Sequence, residues 1–226
     1  LTAGAAGARG GGVERLVRRL LRPALWLLVL GPAAALAAGL VLGTLGANPV
    51  ETLEKRSGIW ALRFLAGSLA VAPLMRATGW GWLVGSRRFL GLAAFCWALG
   101  HFAVYFSLDM VLDVAAMLRD VTKHPRNGVG MLALLLLVPL AVTSTAGWVK
   151  RLGGRRWRAL HRLVYVAAVV ALVHLLLATK RDLTGPAIYA AVFGLLLGWR
   201  LLRIRGGRSG PRVPRRVTGD RSASAA

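Results

Sequence analysis

Six long apolar stretches, each bounded by charged residues or by Gly, Pro, Ser or Asn, constrain this chain more than any other feature. They cover 23–45, 58–78, 89–108, 128–149, 160–179 and 184–202. At about 1.5 Å of rise per residue, about 20 apolar residues cross a hydrocarbon core of about 30 Å. The runs are long and do not alternate, so the pattern is helical rather than that of a membrane β-barrel. Pro32, Pro73 and Pro139 fall inside them, which membrane helices tolerate because neighbours re-satisfy the freed backbone groups. The expected fold is an all-α membrane protein, a bundle of six transmembrane helices.

Composition agrees with a membrane solvent. Apolar residues make up 56% of the 226 and charged residues 17%, against about 45–50% and 25% in soluble domains. The charge is one-sided, 30 Lys and Arg against 8 Asp and Glu, net +22. A basic excess of that size suits nucleic acid, so its placement decides. Arg9, Arg15, Arg18, Arg19 and Arg22 precede the first stretch; Arg87 and Arg88 lie in the second connection. Lys150, Arg151, Arg155, Arg156 and Arg158 fill the fourth, and Arg203, Arg205, Arg208, Arg212, Arg215 and Arg216 follow the sixth. The odd-numbered connections are nearly balanced; the third sets Asp109, Asp113 and Asp120 against Arg119, Lys123 and Arg126. Under the positive-inside rule both termini are cytoplasmic, as an even number of crossings requires. The basic residues form short strips at span ends, so anionic headgroups, not nucleic acid, are their partner.

The chain therefore divides into a basic cytoplasmic tail (1–22), a six-helix membrane domain (23–204) and a disordered basic cytoplasmic tail (205–226), with 1–12 also expected to be disordered. The first apolar run exceeds the 7–15 residues of a signal-peptide core and is expected to stay as a span. Cys96 is the only cysteine, which excludes an intrachain disulfide, multi-cysteine zinc sites and cysteine-held iron–sulfur clusters; it reads as a small packing residue.

Ionisable residues inside a membrane are costly and functional by default. His124 lies in an outer connection and reads as a solvated loop residue. His101, His161 and His174 lie within the third and fifth stretches. His101 is 13 residues past Arg88, and His174 is six before Lys180, so both fall in the outer half of the membrane, while His161 is near the inner edge. Two imidazoles at one depth on different helices can fill both axial positions of a haem iron. An interhelical hydrogen bond or a proton relay would use the same pair. Zinc is less suited, because no Cys, Asp or Glu lies at that depth to complete four ligands. His161 and His174 are 13 residues apart, about 140° around an ideal helix; either the helix distorts or the two serve different neighbours.

Three blocks carry a family resemblance. Arg87-Arg88-Phe89-Leu90-Gly91-Leu92 leads to Trp97, His101 and Tyr105. Thr143-Ser144-Thr145 leads through Trp157 to Leu160-His161-Arg162-Leu163-Val164-Tyr165 and His174. Asn48-Pro49-Val50 leads through Gly58 and Trp60-Ala61-Leu62 to Pro73-Leu74. Together, over about residues 45–200, they resemble the haem-binding membrane subunits of the periplasmic methionine sulfoxide reductase system, within the ferric reductase-like transmembrane family. The resemblance implies a multi-pass protein of the bacterial inner membrane that binds haem b, one or two, and conducts electrons rather than catalysing at its own active site. It implies electrons from the quinone pool or a cytosolic flavin reductase, passed to a soluble molybdopterin-containing catalytic subunit in the periplasm. It also implies FMN, for which no motif is visible. His101, His161 and His174 match the family's three intramembrane histidines.

The wider superfamily places two histidines on each of two helices; here the third stretch offers only His101, and Arg87 stands 14 residues earlier. One haem, an inner haem with a different second ligand, or ligand exchange on the fifth stretch all remain open. No flavin and nicotinamide domain follows the sixth stretch, so electrons are expected from another molecule. Arg87, Arg88, Arg158 and Arg162 either pair with the propionates of an inner haem or bind an anionic cofactor, or only set topology. Arg63, an isolated charge inside the second stretch, either snorkels or holds an outer propionate. Trp80, Trp82 and Trp148 suit an aromatic belt. The connection 109–127 is the longest candidate docking surface. Alternatives to the electron conduit are a membrane ferric or cupric reductase using the same haem and, from another class, a proton-coupled transporter.

Overall fold

The computed structural model describes residues 3–179 and 182–206, with side chains described for 15–179 and 182–202. The chain enters as α1 (Ala3–Val41) and continues through α2 (Pro49–Thr78), α3 (Val84–Val104), α4 (Val114–Lys123), α5 (Pro125–Val142), α6 (Ala146–Leu160), α7 (Leu163–Ala178) and α8 (Thr184–Gly206). A 3-10 turn (Gly81–Leu83) leads into α3 and a π turn (Tyr105–Asp109) prolongs it. No strand occurs among the described residues.

Local chemistry sets the ends. Asn48 caps α2 by accepting from the Glu51 N–H, and Pro49 follows at the first helical position, where its missing N–H costs nothing. Gly79, at φ 75°, ends the helix in the left-handed conformation that glycine adopts freely. Thr143 and Ser144 return their hydroxyls to the carbonyls of Pro139 and Leu140, both at 2.6 Å, satisfying the end of α5. Thr145 then caps α6.

Among the described residues, five helical segments are long and apolar enough to cross a membrane: Arg15–Val41, Pro49–Thr78, Gly81–Asp109, Pro125–Val142 and Thr184–Leu202. A sixth crossing requires α6 and α7 together, joined at a 44° bend. The helical membrane bundle expected from the sequence is what the chain forms, and two of its bounds differ for reasons visible in the structure. The fourth apolar run stops at Val142 because Thr143–Thr145 terminate it. The fifth begins as a helix only at Leu163, and the 16 residues of α7 reach about 24 Å, short of a bilayer core. The apolar run is broken by tight i→i−3 bonding at the join, where the Arg162 N–H bonds to the Ala159 carbonyl. The chain is also helical from Ala3, where a disordered tail is expected; the expected tail beyond residue 206 lies outside the described residues.

α2 packs most closely on α3, and α5 on α7, with α8 against α7 and α2. Phe64 and Phe193 are almost wholly buried, as are Ala94, Ala167 and Ala168. Trp60, Phe64 and Trp97 form an aromatic cluster with ring centres 5.7–6.3 Å apart. Outward faces are apolar as well: Leu27 is 73% exposed, Val41 85% and Leu195 75%. Such surface is a liability in water and the normal state against lipid. Between α3 and α4, Val111 and Leu112 adopt φ of 50° and 62°, an uncommon conformation for bulky side chains.

Candidate functional site

His101 lies near the end of α3 and His174 near the end of α7. Their ring centres are 6.1 Å apart, inclined at 65°. The matched depth read from charge positions therefore becomes direct proximity, although α3 and α7 belong to different closely packed pairs.

Both rings are held in the same way. His101 Nδ1 donates to the Glu54 carbonyl at 2.9 Å, with the Ser57 hydroxyl alongside at 3.3 Å. His174 Nδ1 donates to the Arg126 carbonyl, also at 2.9 Å. Each carbonyl belongs to a helix whose residue four positions later is glycine: Gly58 follows Glu54 on α2, and Gly130 follows Arg126 on α5. Residues four apart stack on one face, so a side chain at either position would cover the carbonyl. A Cβ on Gly58 would lie 3.3 Å from His101 Cε1; one on Gly130 would lie 2.7 Å from His174 Cε1. These glycines open a lateral lone pair of a helical carbonyl to an incoming ring. With Nδ1 carrying the hydrogen, Nε2 carries the lone pair in both rings.

Two neighbouring rings, each with its lone pair on Nε2, could hold one metal atom between them. Two metal–imidazole bonds of about 2 Å each account for most of the 6.1 Å separation. Among the described residues there is no cluster of three or more His, Cys, Asp or Glu that could hold a metal ion.

His161 is different. It caps α6 at the bend, and its ring stacks on Trp157 with centres 4.0 Å apart. Its Nε2 lies 3.1 Å from the Thr143 hydroxyl. That hydroxyl gives its only hydrogen to Pro139 O, so it accepts from His161 Nε2–H, the opposite tautomer to the facing pair. Bend and separate neighbours together resolve the 140° offset expected between His161 and His174.

Arg87, expected beside an inner haem, lies within electrostatic reach of His161. Arg87 lines a small cleft with Leu69, Tyr165 and Arg200, and the Arg200 guanidinium lies 4.8 Å over the Tyr165 ring. Arg88, Arg158 and Arg162 are exposed. Arg63 stacks 4.5 Å over Trp60 and donates to the Tyr189 hydroxyl at 3.2 Å. It lies five residues past Gly58, about 140° around α2 from the face that meets His101. Cys96 is exposed, not the buried packing residue expected.

A hydrogen-bonded knot missed in the sequence sits beside the rings. Asp120 accepts from the Tyr105 hydroxyl at 2.6 Å, from His124 Nδ1 at 2.7 Å and from the Asn127 amide. Burial pushes the Asp120 carboxyl up, but the bonds from Tyr105, Asn127 and His124 outweigh it and hold the carboxyl below its ordinary value. His124, expected as a solvated loop residue, is part of this knot. The i, i+4 spacing of Asp120 and His124 was the available signal.

The family model described as ferric reductase like transmembrane component matches residues 57–172. A protein from Azospira oryzae named protein-methionine-sulfoxide reductase heme-binding subunit MsrQ is 48% identical over 187 residues, covering 82% of this chain and 80% of that protein. A protein of the same name from Rhodospirillum rubrum is 47% identical over 202 residues, 89% of this chain and 97% of that one. Another from Ralstonia nicotianae is 45% identical over 195 residues, 85% and 90% respectively. No solved structure matches the chain.

Proposed function

This chain belongs to the ferric reductase-like transmembrane family, in its MsrQ branch of heme-binding subunits, and from that membership we propose that it holds haem b between α3 and α7, with His101 and His174 as the axial ligands. It is a heme-binding membrane subunit of the methionine sulfoxide reductase system. Haem b, when bound, supplies a one-electron ferric–ferrous couple. The observation that carries the ligand assignment is the pair of rings 6.1 Å apart with both Nδ1 atoms committed to backbone carbonyls.

The residues perform three tasks. The Glu54 and Arg126 carbonyls fix each ring's tautomer and orientation and make Nε2 a stronger donor, as partners of metal-bound histidine do. Gly58 and Gly130 admit the rings to those carbonyls. The apolar side chains of the spans exclude water, so charge change at the site is felt strongly. In this reading electrons enter from the quinone pool or a cytosolic flavin reductase and leave for a periplasmic molybdopterin catalytic subunit. The chain lies in the bacterial inner membrane with both termini cytoplasmic, the charge distribution supporting that direction. His161 is the candidate ligand of a second haem only if its Nε2 leaves Thr143. The Arg87–Arg200 cleft is the place to seek an anionic cofactor such as FMN. Ferric or cupric ion as terminal acceptor is the second reading, supported by the family match.

Protein purified from haem-sufficient cells should be red, with a low-spin bis-histidine spectrum. His101→Ala and His174→Ala should each abolish it. A colourless wild type, or full haem in either variant, overturns the assignment. Reduction of the purified catalytic subunit, compared with ferric or cupric reduction, separates the two acceptors.

A further inference from the structure

One carboxylate ties the segment that carries His101 to the first turn of α5, whose Arg126 carbonyl holds the His174 ring. Tyr105 stands four residues, one helical turn, beyond His101, and its hydroxyl donates to Asp120 at 2.6 Å. Asn127 stands in the first turn of α5, and its amide donates to the same carboxylate. His124, at the end of α4, donates to the other oxygen at 2.7 Å. Between His124 and Asn127 lies Arg126, whose carbonyl accepts from His174 Nδ1 at 2.9 Å and whose Nε donates back to Asn127 Oδ1 at 3.0 Å. Asp120 itself is half-buried, and it sits in the connection rather than in a span.

We propose that Asp120 is a positioning residue for His174: through Asn127 it fixes the first turn of α5 so that the Arg126 carbonyl stays bonded to the His174 ring, and this bond sets the reduction potential of the metal that His174 holds. The inference rests on the haem-ligand reading above. The first turn of a helix is its least constrained part, because its N–H groups lack intrahelical partners; here an external carboxylate supplies the restraint. An imidazole whose Nδ1–H is well bonded is the more basic ligand and favours the ferric state. Loosening the Arg126 carbonyl makes His174 a weaker donor and raises the potential.

Two variants cut the tie from opposite sides. Asp120→Asn turns an acceptor toward donors, and Asn127→Leu removes the link to α5 while sparing Tyr105 and His124. Asp113→Ala is the control: it deletes the cap of α4, where Asp113 accepts from the Ala116 N–H, without touching α5. Redox titration of the full-length protein in detergent should show both tie variants shifted positive, by up to about tenfold in the ferric–ferrous equilibrium, or about 59 mV for one electron. Their low-spin EPR signals should broaden, and the double variant should shift no further than the larger single one, as expected of a shared path. Loss of haem from both tie variants, with Asp113→Ala loaded, supports the same tie acting at ligation. Unchanged potentials in both loaded variants overturn the proposal, as does an equal shift in Asp113→Ala. Failure of the ligand reading itself shows separately, as a wild type without haem or a His174→Ala protein that keeps it.

Discussion

At one end of α7, His174 donates Nδ1–H to the Arg126 carbonyl and lies over a bare glycine; at the other, His161 donates Nε2–H to Thr143 and stacks on Trp157. The same residue type within one apolar run is thus prepared for different work. The nitrogen next to the ring's attachment is committed in His174, which leaves the remote nitrogen for the proposed ligand. In His161 the remote nitrogen is spent on a neighbour. The bond each ring makes, more than its membrane depth, separates the proposed metal-binding ring from one that braces a bend.

Glycine substitutions break this comparison most directly. Gly130→Ala places a Cβ 2.7 Å from His174 Cε1 and 2.8 Å from Nδ1, and the ring must leave the Arg126 carbonyl; haem content of the purified variant should fall by most of its value. Gly58→Ala is milder, because its Cβ would meet His101 at 3.3 Å. That variant should keep haem with a shifted low-spin spectrum; if it loses as much haem as Gly130→Ala, the two cradles are not graded by contact distance. His161→Ala should leave the spectrum of the facing pair intact and cost about 1–2 kcal/mol of thermal stability, from one hydrogen bond and one ring contact. Loss of that spectrum would erase the contrast between the two ends of α7.

The smallest effect is on pH. The folded Asp120 carboxyl is held below its unfolded value, so its contribution to stability is complete above the unfolded pKa of about 3.9. It is lost as pH falls through the folded value. Melting temperature followed from about pH 6 to pH 3 should therefore decline less steeply in Asp120→Asn than in wild type. Equal slopes would remove the knot from any account of acid sensitivity at the His174 end.

Much of this was legible in the sequence, because length, apolarity and flanking charge are read residue by residue. Helical spans, the pairing of His101 with His174 and the oddity of the 13-residue spacing all follow from linear distances. The bend after His161 did not, since Leu160 and Leu163 flank it with no proline or glycine between. The glycine cradles were invisible for a different reason: Gly58 and Gly130 are ordinary in membrane helices, and only the ring arriving from another helix gives them meaning. In the sequence Arg63 is a snorkelling charge or a propionate partner, because its contacts with Trp60 and Tyr189 come from the fold and leave no linear signal. The Asp120 knot joins three separate segments, and no periodicity reports such a meeting.

Ala167 and Ala168 are wholly enclosed on α7, while Val166, Val169 and Leu177 on the same helix face outward. Ala167 and His174 are seven residues apart, two turns along one face. Hydropathy treats the 16 residues of α7 as interchangeable, but an added methylene in a close-packed contact is felt at once. The helix should therefore drift in evolution along its lipid face, with Leu, Val and Ile exchanging freely, while the narrow stripe through Ala167 and Ala168 stays almost silent to change. That stripe, rather than the helix's overall oiliness, is the part of α7 that records what the protein is for.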